Sequence, residues 1–168
     1  WEGRGIYGLA GSIERASRGM VDANGLRPVE YVDKRRGRLR DAVHFDWSAR
    51  TLRQQRRGEV RSAPLPDRAS DPLAFFYEFA FGEPAPAGGK MAVVNGRRIS
   101  HYIFQLAGRE RLSTAAGDFD TLKLLREKPD GERAELWLAT KRSFIPVRIL
   151  IVEDDGSRLD LIVTRISH

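Results

Sequence analysis

Cysteine is absent from the 168 residues, which excludes disulfides, thiolate metal sites and a cysteine nucleophile together. The compartment stays open on that ground, because a cysteine-free chain suits cytosol and periplasm equally. Long apolar runs are absent too. Phe79–Phe81 and Ile149–Val152 fall far short of the ~20 residues that a membrane-spanning helix needs. No charged-then-apolar leader opens the chain, which begins at Trp1 without an initiator methionine. The expectation is therefore a soluble chain whose signal peptide and first strands preceded Trp1. Histidine is scarce, and His44, His101 and His168 offer no pair at metal-ligand spacing, so no metal site and no cofactor is expected.

What is present fits one ordinary globular domain spanning 1–168, since 19.0 kDa and 41% hydrophobic residues suffice for a substantial core. The formal net charge is +6, and its distribution is informative. From Tyr31 to Arg61 there are ten basic side chains against four acidic ones, while the other 19 basic and 19 acidic residues cancel. Any electrostatic partner should land on that region. Arg35, Arg36, Arg38 and Arg40 read as the solvated tip of a hairpin able to contact an anionic membrane surface. Nucleic acid is not the expected partner, because base stacking needs exposed aromatics. Phe45 and Trp47 alternate onto the apolar face with Val43.

Turn signals recur at strand-like intervals: Asn24-Gly25, Arg36-Gly37, Asn95-Gly96, Gly108, Gly117, Pro129-Asp130-Gly131 and Asp154-Asp155-Gly156, several of them dipeptides suited to tight hairpins. Between them apolar residues alternate with polar ones. Val43, Phe45 and Trp47 oppose His44 and Asp46, Tyr7 and Leu9 run with Ile13, and Leu159 and Leu161 run with Val163. Pro146–Val152 is apolar on both faces apart from Arg148, as a strand covered on both sides would be. The count is about ten strands, so the expected fold is mainly β: a single curved antiparallel sheet or partial barrel with one short apolar helix. Glu59–Pro72, with its prolines, reads as a loop.

The helix breaks the period. Ser70 or Asp71 can cap it, Pro72 suits its first position, and Gly82 with Pro84 supplies the stop. Leu73, Phe76, Tyr77 and Ala80 form one stripe with Phe75 and Phe79 beside it, and Glu78 is the only charge. A segment apolar nearly all round must be buried or must face something apolar. Catalytic chemistry is not legible. His44 and Asp46 share a strand face without a nucleophile beside them. Gly8–Ser12 lacks the lysine and the strand-to-helix context of a phosphate loop. Asp118, Asp120 and the Asp154–Gly156 turn have too few oxygen ligands for calcium.

Five phrases in order, Ser17–Tyr31, Val43–Trp47, Asp71–Phe81, Tyr102–Leu124 and Glu135–Ile151, resemble the bacterial periplasmic domain-of-unknown-function 3108 family over about Ser17 to Ile166. The resemblance implies a secreted periplasmic protein with a fold similar to the curved half-barrels of lipoprotein carriers, shortened before Ser17. Where many members carry Asp-x-Leu-Ser, this chain has Asp71, Pro72, Leu73 and Ala74, so no role of that serine transfers, and no catalytic residue is implied. Two functions follow. One is a carrier whose groove beside Pro72–Phe81 holds an acyl chain or lipoprotein, lined by Leu73, Phe75, Phe76, Phe79, Trp47 and Trp137. The other is a structural or protein-interaction module of the envelope without a small-molecule ligand, in which the helix completes the core.

Overall fold

Alternation of apolar and polar residues favours strand formation, most plainly over Val43–Trp47. The computed structural model describes residues 2–7 as backbone, and residues 13–22, 25–81, 90–127 and 131–166 in full. Two compact units emerge, one comprising Trp1–Glu78 with Met91–Tyr102 and the other Phe79–Lys90 with Ile103–His168.

The first unit carries a six-stranded meander: β1 (Glu2–Tyr7), β2 (Ile13–Asp22), β3 (Gly25–Arg35), β4 (Arg38–Asp46), β5 (Thr51–Arg56) and β6 (Glu59–Pro64). Each strand is antiparallel to the next. Tyr31 faces Val43, Val43 faces Gln54, and Phe45 faces Leu52 across the ladders, and all five are buried. Tyr31, Val43, Phe45 and Leu52 form one core with Leu65, Ala69 and Val94, against which Trp47 and Leu73 pack. Two hairpins close through two-residue turns, Arg36-Gly37 with φ of 52° and 73° and Arg57-Gly58 with φ of 49° and 91°. Positive φ at both central positions matches the turn twist to the strand twist, and glycine supplies it without steric cost at the second.

A second sheet orders β7 (Ala69–Ser70), β8 (Lys90–Val94) and β9 (Ile99–Ile103), with β7 parallel to β8. The turn between β8 and β9 lies on the meander. Gln54 Nε2 donates to the Asn95 carbonyl and Arg61 to that of Arg97. A methyl group at Gly96 would sit 2.3 Å from the Gln55 carbonyl oxygen, so only glycine permits this approach.

The second unit holds β10 (Gln105–Thr114), β11 (Gly117–Glu127), β12 (Arg133–Ala139), β13 (Pro146–Val152) and β14 (Arg158–Ile162) in sequential antiparallel order. Leu122 and Leu124 oppose Leu138 and Leu136, and Leu136 opposes Ile149, giving an apolar face. The strand covered on both faces is β12, buried from Ala134 to Ala139, rather than β13.

The mainly β expectation holds, and a single sheet of about ten strands does not: fourteen strands among the described residues form three open sheets. Glu59–Pro72 is not a loop, because it contains β6 and β7. Its prolines fall at the end of β6 and between strands, where no ladder donor is required. The readings placed on Gly8–Ser12, Asn24, Gly82 and Pro84, Pro129-Asp130 and His168 lie outside the described residues.

Asp71 opens the expected helix, which is a 3₁₀ helix over Ala74–Phe81. At three residues per turn, side chains three apart align, so Leu73, Phe76 and Phe79 share an edge. Tyr77, expected in that stripe, is instead 50% exposed. Phe75 meets Tyr102 edge-on at 5.3 Å, and Phe79 meets Phe104 at 5.8 Å.

Gly96→Ala is expected to lower stability by roughly 1–3 kcal/mol, the usual range for forcing an extra carbon into packed structure. A urea unfolding midpoint equal to wild type would contradict the close approach.

Candidate functional site: a pocket beside the helix

Asp71 fixes the start of the helix. Its Oδ1 accepts hydrogen bonds from the Leu73 and Ala74 amides at 2.8 and 3.0 Å, the geometry of a helix cap. Its Oδ2 accepts from the Ser17 hydroxyl on β2. Both Ser17 and Asp71 are completely buried. Burial pushes the Asp71 carboxyl up to about 6, against the pull of the Ser17 and backbone donors. The same environment raises the Tyr31 phenol, chiefly by desolvation.

Seven residues on, Glu78 enters the wall of a cavity of about 440 Å³ whose lining also includes Trp47, Arg27, Arg50, Arg68 and Met91. Burial pushes the Glu78 carboxyl up to about 7, while the Ser70 hydroxyl and Arg68 pull it down. Trp47 is held in orientation by its indole N–H, which donates to the Pro28 carbonyl at 2.7 Å. The Arg27 guanidinium lies 5.3 Å from the centre of the Trp47 ring, within range of a cation–π contact, and pairs with Asp22 at 2.8 Å. Arg50 pairs with Asp67 at the rim. Three arginines against two carboxylates, one of them raised to about 7, give the pocket a positive balance. Leu26, Ala69 and Met91 add buried apolar surface. The volume falls within the ~300–1,000 Å³ of small-molecule sites.

Of the residues expected to bind a ligand, Trp47 alone lines this cavity. Phe75, Phe76 and Phe79 are buried, and Leu73 packs on the core of the first unit. Trp137 belongs to the second unit, where Lys123 and Arg148 lie 4.6 and 4.7 Å from its ring centre. Those two cations are its direct cross-strand partners. Its indole N–H donates to Glu110, and Arg148 makes two bonds to Asp160 at 2.9 and 2.7 Å. In the first unit Arg36 and Arg38 are exposed, Arg40 is half-buried, and Arg35 pairs with Asp33 at 3.0 Å. His44 is exposed, and among the described residues no three metal-ligating side chains cluster. Sequence reading missed Arg27, Arg50, Arg68 and Glu78 as a group. They come together only when the turn after β4, the segment before β7 and the helix are folded beside one another, and their spacing in sequence has no period.

Asp71 and Glu78 set a pH dependence. For a carboxyl raised by folding, the native state binds the proton more tightly, so stability is greatest below the unfolded value and is lost as pH rises through the folded one. Unfolding free energies from urea titrations should therefore fall from pH 5 to pH 8, by up to about 3 kcal/mol per group for shifts of about two units. Asp71→Asn should flatten the dependence; slopes equal to wild type would contradict it.

Among curated proteins and among solved structures nothing matches this chain, and the likeness to lipoprotein carriers rests on the sequence resemblance alone. The profile of one family matches residues 1–163, a stretch that includes the region before Ser17 expected to be short. That match spans both units, and on it the chain belongs to the family described as "Protein of unknown function (DUF3108)".

Proposed function

We propose that the protein is a non-catalytic binding module of the periplasmic envelope, and that its ligand is an acyl chain with an anionic head. The compartment follows from the resemblance to secreted envelope proteins. The observation that carries the ligand reading is the pocket beside the helix, in which Arg27, Arg50 and Arg68 share a wall with Trp47, Leu26 and Met91. Guanidinium groups recognise carboxylate and phosphate oxygens through paired donors, and the indole and apolar side chains suit the chain of the ligand. Glu78 adds a carboxyl that repels an anion when ionised and donates to it when protonated. Affinity should therefore rise as pH falls through about 7.

A second reading keeps the protein as a structural or interaction module. It draws on Phe75, Phe76 and Phe79, which are 5%, 8% and 8% exposed and so already act as core. Truncating a buried phenylalanine costs about 3–5 kcal/mol, and in this reading no ligand restores the loss in Phe76→Ala.

Thermal unfolding with octanoate and octyl phosphate separates the two. Binding to the folded state raises the melting temperature by mass action. Saturable stabilisation is expected at pH 6, weaker at pH 8, with that difference abolished in Glu78→Gln and affinity about tenfold lower in Arg27→Gln. Absence of saturable stabilisation by either probe would defeat the pocket reading and leave the structural one.

A further inference from the structure

We propose that the two hairpin tips of the six-stranded sheet dock together on an anionic lipid surface, with Leu39 and Val60 entering the headgroup layer between arginines. The tips at Arg36-Gly37 and Arg57-Gly58 lie at the same end of the sheet, where the Arg57 amide donates to the Arg40 carbonyl at 2.9 Å. Strand alternation puts Val32, Ala42, Gln55 and Val60 in one cross-strand row on the face opposite the core, with Leu39 opposite Lys34 one row nearer the tip. Leu39 is 45% exposed and Val60 48%. Two branched aliphatic side chains left in water near a hairpin end stabilise nothing there, and an amphipathic contact with a bilayer would bury them.

Charge selects the partner. Arg36, Arg38 and Arg57 are exposed at the two tips, and neither Arg38 nor Arg57 pairs with a carboxylate among the described residues. The acids that could cancel them are mostly turned away. Asp33 is buried against Arg15 and Arg35, and Asp46 caps its own turn by accepting from Ser48 and Ala49. Two exposed acids remain near the tips, Glu59 and Glu14, and Glu14 pairs with Lys34 at 3.7 Å. Single-stranded nucleic acid would need aromatic platforms, but Tyr31 and Phe45 lie in the core on the other face. Aliphatic side chains ringed by arginine fit lipid.

Co-sedimentation with phosphatidylcholine vesicles, with and without about one-third phosphatidylglycerol, tests the proposal on the full chain. Each basic side chain at an anionic surface contributes about a fivefold factor. Binding is expected only to the anionic vesicles and should weaken in high salt. It should fall about 20-fold or more in R36Q/R38Q, and at least tenfold in L39D/V60D at an unchanged melting temperature. L39S/V60S serves the same purpose should the aspartates unfold the sheet. Equal binding to both vesicle types would overturn the proposal, as would wild-type retention by the folded Leu39/Val60 variants. So would tight binding to a single-stranded oligonucleotide that anionic vesicles do not displace.

Discussion

A single buried carboxylate sets the geometry of the first unit. Asp71 lies out of water, accepts from two helix amides and from Ser17 on β2, and so joins a helix start to a strand 54 residues earlier in the chain. Burying a carboxyl is costly unless its oxygens are satisfied, and three donors supply that satisfaction here. The rest of the pocket depends on it. Once the helix start is fixed against the meander, Glu78 is delivered to the cavity wall and Leu73 to the core. Both ends of the contact fall inside phrases that carry the family resemblance, Ser17–Tyr31 and Asp71–Phe81, which gives those phrases a shared physical purpose.

The two units manage charge differently. In the second, cations and carboxylates interleave across neighbouring strands. Lys123 bridges to Glu135 at 2.5 Å, Arg133 to the same carboxylate at 3.1 Å, and Arg148 to Asp160, all around Trp137. That arrangement satisfies itself. In the first, the excess of arginine is only partly matched, and what remains gathers at the pocket and at the hairpin tips. Both places combine guanidinium with apolar surface, as an anionic amphiphile would require.

Much of the fold was legible because alternation at period two is a local signal. Val43, Phe45 and Trp47 lie where that alternation puts them, and Arg36-Gly37 and Asn95-Gly96 form turns as their residue types imply. The strand count was not legible, for two physical reasons. Strand β5, Thr51–Arg56, is almost wholly polar and buries Gln54, whose amide is satisfied by the distant Asn95 carbonyl, so no apolar pattern marks it. Strand β7 is two residues long and parallel to β8, and a parallel pairing across so long a separation leaves no hairpin signal. Tyr77 was misplaced because a period of 3.6 was read into a segment that winds at three. Of the site, Trp47 was legible from its place next to an apolar strand, whereas the arginines around it are neighbours only in three dimensions.

A double-mutant cycle on Ser17→Ala and Asp71→Asn, followed by urea unfolding at pH 7.5, addresses the central contact directly. If the Ser17 hydroxyl and the Asp71 carboxylate act as one buried unit, the two changes are non-additive, with a coupling of about 1–3 kcal/mol. Additivity within about 0.3 kcal/mol, the behaviour of independent sites, would mean that the helix is positioned by its phenylalanines alone, and would contradict the account.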